Sequence, residues 1–214
     1  MVIGLRKEQA PKSLPGFKDI NKYWDQRHDS FVAKILPGEF YVSRNQEMIA
    51  TTLGSCVSAC IWDIECRIGG MNHFMLPLTE RAPDQVVWGN ATSDATRYGN
   101  YAMEHLINHL LANGAKRQNL QAKVFGGGKV LRQLNDVGAK NIDFVLEYLE
   151  LEKIPIIASD LGDDCPRKVM FDPISGRATM KKIRDIHNNT IQVREETYKN
   201  TLIQQPAEGE IELF

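Results

Sequence analysis

The sequence predicts an α+β fold, a largely antiparallel or mixed sheet packed by two main helices, and three observations carry that prediction. Short β-branched and apolar runs outnumber helical ones, turn signals recur between them as in hairpins, and only two stretches repeat apolar residues at spacings of three and four. Taken in order, residues 1–35 hold Pro11, Pro15 and Gly16 among many charges with no sustained period. They read as an N-terminal arm outside the core, with one helical turn near Tyr23 and Trp24. From Phe40 the runs FYVSR, MIATTLGSCVSACIW and RIGGMNHFMLP are strand-forming, punctuated by charged or glycine-containing breaks. Residues 93–115 form an amphipathic helix with Ala102, Met103, Leu106, Ile107 and Leu110 on one face, Ser93 as N-cap and Gly114 as the stop. LQAKVFGGG is a strand ending in a glycine turn, and Asn141 caps a second helix whose face is Ile142, Val145, Leu146 and Leu149. IPIIAS, RKVMFD and RATMKKI are three further strands, the last two joined by a turn over 172–176. The folded domain is expected over 36–194, followed by a polar, mobile tail over 195–214 that carries Pro206 and Gly209.

Charge and composition narrow the function. Lys and Arg total 26 against 27 Asp and Glu, a net charge of −1 over 214 residues, so no global field favours nucleic acid. No run reaches the roughly 18 apolar residues of a membrane span, and the N-terminus lacks the apolar stretch of a secretory signal. A cytoplasmic location without membrane insertion is expected, and the four cysteines are accordingly read as free thiols.

The sharpest local feature is Leu53-Gly54-Ser55-Cys56, a glycine beside a thiol inside an apolar run. Glycine there marks a bulge or a place where another group approaches the backbone. A two-residue hairpin centred on Ile64 and Glu65 pairs residues whose numbers sum to 129, which sets Cys56 opposite His73. Alone, Cys56 reads as a small buried hydrophobe and His73 as a satisfied core histidine. Together they form a thiol–imidazole pair suited to acyl transfer at an amide or ester. Thr51 and Thr52 precede the cysteine by five and four residues, and undistorted alternation puts Thr52 on its face, where a hydroxyl orients the imidazole or binds the substrate amide. Backbone N–H groups around Gly54, Ser55 and Cys56 are the natural oxyanion hole.

Rival chemistry is weaker. Cys56, Cys60, Cys66 and His73 as a zinc set lack a C-x₂-C knuckle, and His105 with His109 lacks the H-E-x-x-H pattern. Gly126-Gly127-Gly128-Lys129 departs from the phosphate-loop pattern and reads as a tight turn that brings backbone to the active face. No cofactor and no metal are expected.

Leu53-Gly54-Ser55-Cys56-Val57, followed by Gly69-Gly70-Met71-Asn72-His73-Phe74-Met75-Leu76-Pro77, resembles the signature of the CheD family, chemoreceptor glutamine deamidases of bacterial chemotaxis. The resemblance continues through Tyr98, Lys123 to Gly127, Asn141, Ser159-Asp160-Leu161-Gly162 and Arg167-Lys168-Val169, over about residues 36–185. It implies a CheD-like α/β sandwich, similar to cysteine-dependent deamidating toxins, with Cys56 as nucleophile and His73 as base. It further implies action on glutamines in the cytoplasmic helical region of methyl-accepting chemotaxis receptors, giving glutamate and ammonia. Some members also hydrolyse receptor methyl esters, and some bind a CheC-type phosphatase. Members with Thr-x-Gly-Leu-Gly-Ser-Cys carry the catalytic threonine six residues before the cysteine. Ala50 stands there in this chain, with Thr51 and Thr52 as substitutes. The alternative of another class is a non-catalytic protein that keeps the fold and binds receptors or chemotaxis partners.

Overall fold

The structure is a computed structural model that describes residues 9–77, 94–130, 137–184 and 190–204. In chain order the elements are β1 (Asn21–Asp25), β2 (Ser30–Lys34), β3 (Phe40–Ser43), β4 (Glu47–Leu53), β5 (Val57–Asp63), β6 (Ile68–Asn72), α1 (Asp94–Ala112) and β7 (Leu120–Gly126). They continue with α2 (Val137–Leu151), β8 (Ile156–Leu161), β9 (Arg167–Phe171), β10 (Ala178–Lys182) and α3 (Thr190–Gln204). The fold is mixed α+β. Among the described residues the strands form two five-stranded sheets, ordered β1-β2-β4-β9-β10 and β3-β6-β5-β7-β8. Within each sheet one pair is parallel, β2 with β4 and β7 with β8, and the rest are antiparallel.

The second sheet is covered on both faces, which is why β5 and β6 read as near-continuous apolar runs and are buried at every residue. A side chain at Gly70 would run into Leu106 of α1, and one at Gly69 into the Pro173 backbone between β9 and β10. Neighbouring residues of β6 therefore press against α1 on one face and the first sheet on the other. In β4 the alternation sends Ile49, Thr51 and Leu53 inward, while Ala50 joins a small outer cluster with Val32 and Met170.

Three expectations need correction. Residues 21–34, expected in an outlying arm with a helical turn, form the β1–β2 hairpin, and β2 pairs with β4. A buried ion pair ties this hairpin down: Lys22 Nζ lies 2.8 Å from Glu47 Oε2, and Glu47 Oε1 also accepts from Tyr41 Oη and Ser43 Oγ. Satisfied this way, a buried carboxylate is tolerable, whereas unpaired it would not be. The second helix starts at Val137, four residues before its expected cap, and buries Val137, Gly138, Asn141, Phe144, Val145, Tyr148 and Leu149. Asn141 is thus a fully buried helix-interior residue, and Leu146 of the expected face is exposed. Finally, part of the expected tail is α3, and its Glu195 is buried. The expected N-cap Ser93 and the remainder of the tail lie outside the described residues. At the C-terminus of α1, Gly114 has φ +96° and ends the helix as expected, with the Ala115 N–H bonded to the Leu110 carbonyl.

Among the described residues, no helix is long and apolar enough to cross a membrane.

Candidate active site

The site lies where the chain leaves one sheet for the other. β4 belongs to the first sheet and β5 to the second, and Gly54, Ser55 and Cys56 make the corner between them. Three partners hold the carbonyls of this corner: Gly128 N–H bonds Gly54 O at 2.7 Å, Asn141 Nδ2 bonds Ser55 O at 2.9 Å, and Gly127 N–H bonds Cys56 O at 2.8 Å. In a trans peptide the C=O and the following N–H point opposite ways, so pinning the Gly54 and Ser55 carbonyls turns the Ser55 and Cys56 N–H groups to the other side. There, with Gly54 N–H, they form a cradle of three donors, which suits an anion. The glycine turn at 126–128 does bring backbone against this corner.

The hairpin register differs from the expected one. Cys60 faces Met71 and Ile61 faces Gly70, two residues further along β6 than expected, because the loop spans four residues between paired Asp63 and Ile68. Asp63 Oδ1 organises that wider loop by accepting the Glu65 and Cys66 N–H groups. A displacement of two preserves the face of every side chain, so Cys56 and His73 become diagonal rather than direct neighbours across the Val57–Phe74 bridge. Donor atoms of Cys56, His73 and Glu195 all lie within 4.8 Å of one another.

Thr51, not Thr52, meets His73: Thr51 Oγ1 is 2.7 Å from His73 Nδ1 and 2.9 Å from the Ile35 carbonyl. Strand alternation does not carry through to Cys56 because the Gly54–Ser55 bend and the change of sheet intervene. Thr52 lies on the opposite side of β4 and is half-buried. The Thr51 hydroxyl has one proton, and the Ile35 carbonyl can only accept. Toward His73 the threonine oxygen is therefore an acceptor, and Nδ1 carries the hydrogen. Nε2 is left with its lone pair, buried and without a hydrogen-bond partner among the described residues. Burial lowers the His73 pKa to about 3. Burial, and then the Glu195 carboxylate, push the Cys56 thiol well above its ordinary value.

Glu195 is the member of this group that the sequence reading did not foresee. Its carboxylate accepts from Gly54 N–H at 2.8 Å, Ser55 N–H at 2.8 Å, Ser55 Oγ at 2.7 Å and Cys56 N–H at 3.2 Å. A Cβ on residue 54 would sit 2.7 Å from a carboxylate oxygen, which accounts for the glycine. α3 faces the body through Ile191, Glu195, Tyr198 and Leu202, spaced four, three and four. That spacing is a helical stripe with an acid at one apolar position, and it was the one signal available in sequence. Tyr198 closes the contact, its hydroxyl bonded to that of Tyr98 on α1 and its ring against Gly38. A small pocket of about 20 Å³, roughly one water, remains between Ile35, Thr51, His73, Ile191 and Glu195.

Three converging N–H dipoles favour an anion over a cation, and both Glu195 oxygens are committed to them, so this trio fits a metal poorly. Cys60 and Cys66 join neither group of potential ligands among the described residues, the other being Asp163, Asp164 and Cys165. The four-residue zinc set is not assembled. His105 and His109 pack with Phe40, and His109 also with Phe17.

The sequence profile of the family described as CheD chemotactic sensory transduction matches residues 75–182. A probable chemoreceptor glutamine deamidase CheD of Halorhodospira halophila is 54% identical over 206 residues, covering 96% of this chain and 94% of that protein. Its counterpart in Hahella chejuensis is 46% identical over 209 residues, covering 98% and 97%. A probable chemoreceptor glutamine deamidase CheD 1 of Dechloromonas aromatica is 50% identical over 196 residues, covering 91% and 94%. With a thiol, an imidazole and an anion cradle at one corner and likeness running nearly end to end, the chain belongs to the CheD family.

Proposed function

We propose that this chain is an amidohydrolase that converts selected glutamine side chains of methyl-accepting chemotaxis receptors to glutamate with release of ammonia. The observation that supports the reading is the meeting of three things: a thiol, an imidazole whose Nε2 has no hydrogen-bond partner among the described residues, and three N–H donors gathered on one carboxylate group. In this reading His73 Nε2 takes the Cys56 proton and the sulfur attacks the carboxamide carbon. The N–H groups of Gly54, Ser55 and Cys56 hold the oxyanion. His73 gives its proton to the departing ammonia, then activates a water that opens the thioester and restores the thiol. Thr51 keeps the imidazole in the required tautomer. The receptor's cytoplasmic helical region gains one negative charge per event, which alters repulsion between packed helices. The chain would act in the cytoplasm, and a CheC-type phosphatase is the further partner that the family likeness brings.

Incubation with a receptor cytoplasmic fragment tests this directly. Mass spectrometry should show a gain of about 1 Da per converted glutamine, absent with Cys56→Ala. Equal conversion by that variant removes the assignment. Thr51→Val should lower kcat about tenfold to a hundredfold by releasing the imidazole, while Thr52→Val should change it by no more than about threefold. Steady-state ammonia release separates the two threonines, and equal losses would reject the role given to Thr51.

A further inference from the structure

The group with the least obvious purpose is Glu195. A buried carboxylate from a separate C-terminal helix takes all three N–H donors of the corner and the Ser55 hydroxyl, beside the thiol and the imidazole. With α3 docked, Cys56 is 0% exposed and His73 2%, so no glutamine on another protein can reach the sulfur. The chemistry of the plug is specific, because a glutamate side chain on a helix is what deamidation of a helical receptor segment produces.

We propose that α3 is a tethered product analogue: Glu195 fills the carboxylate subsite that a newly formed receptor glutamate would occupy, and the enzyme is self-inhibited until α3 undocks. This rests on the deamidase reading of Cys56 and His73. The docking is built to be reversible. Apart from Glu195, the inward stripe consists of Ile191, Tyr198 and Leu202, each only half-buried, and most of the rest of the helix is polar. The docked state is also chemically quiet, since burial and the nearby carboxylate both disfavour the Cys56 thiolate. A substrate then binds only the fraction of molecules with α3 released, and its apparent affinity falls by that fraction.

Glu195→Gln converts the plug into a substrate held in place. The Cys56 sulfur bonds to the carboxamide carbon of the introduced glutamine, the C–N bond breaks and ammonia leaves with a proton from His73. Water then cleaves the thioester, giving glutamate at position 195 and a free thiol. Peptide mapping of purified full-length Glu195→Gln protein should find that side chain converted to glutamate, a gain of about 1 Da, at a rate independent of protein concentration. In the Cys56→Ala background it should remain glutamine. Glu195→Ala should raise kcat/KM on a receptor fragment about tenfold or more, and the isosteric glutamine variant keeps the test alive if the alanine variant misfolds. Persistence of the introduced glutamine in a preparation that converts receptor glutamines overturns the tethered-product proposal alone. Failure to convert either one overturns the deamidase reading beneath it.

Discussion

His73→Gln is expected to lower kcat/KM for receptor deamidation about 10³-fold or more while the protein remains folded. In the proposed mechanism the imidazole has two tasks: taking the proton of a thiol whose burial raises its pKa, and returning one to ammonia. Glutamine is close in size and can keep a hydrogen bond to Thr51, but it is no base at neutral pH. The same substitution carries a second readout. Burial holds the His73 pKa near 3, below its ordinary value of 6.5. As pH falls through 6.5 the unfolded chain takes up this proton first, so stability is complete above that value and drains away toward pH 3. The slope contributed is at most about 1.4 kcal/mol per pH unit. Urea unfolding of the wild type between pH 6.5 and 4.5 should therefore show a steeper loss than the variant. An active variant, or identical slopes, would contradict the buried neutral base.

Much of the fold was legible because the sequence pattern is locally consistent. The strands from Phe40 to Asn72 and the α1 helix with its Gly114 stop follow from period and punctuation alone. What escaped depended on contacts between distant parts of the chain. The β1–β2 hairpin is short and flanked by charges, and Lys22 is balanced only once Glu47 is beside it. The β5–β6 loop runs to four residues because the Asp63 carboxylate organises it, so the right faces were assigned from a wrong register. Thr52 was favoured by alternation through Gly54 and Ser55, where the chain in fact changes sheets. Helix α3 was invisible to a search for apolar period because its inward stripe carries Glu195, and that acid has a reason to be inside only when the N–H cradle is known. Asn141 showed the same limit: a polar residue near a helix start reads as a cap, yet its amide serves two backbones from within the helix.

Asn141 leads to the second large effect. Its Oδ1 accepts the Leu76 N–H at 2.8 Å and its Nδ2 donates to the Ser55 carbonyl at 2.9 Å, so it fixes both the peptide that carries the Cys56 N–H and the segment just after His73. Asn141→Asp keeps the acceptor for Leu76 but sets a carboxylate oxygen against the Ser55 carbonyl, which favours rotation of that peptide and withdraws one donor from the cradle. Loss of an oxyanion donor costs about 10²-fold or more in kcat. KM should move only a few-fold, because the ground-state amide oxygen carries less charge than the tetrahedral intermediate. Asn141→Ala should reproduce the kcat loss and add about 2 kcal/mol of instability, since the Leu76 N–H is then unpaired as well. A merely structural Asn141 predicts the opposite ordering, with the aspartate variant nearly as active as wild type and the alanine variant impaired only in proportion to its unfolded fraction. Stopped-time ammonia assays at saturating receptor fragment, paired with urea titration of each variant, separate these outcomes. Full kcat in Asn141→Asp would show that the proposed oxyanion cradle does not depend on its bond to the α2 helix.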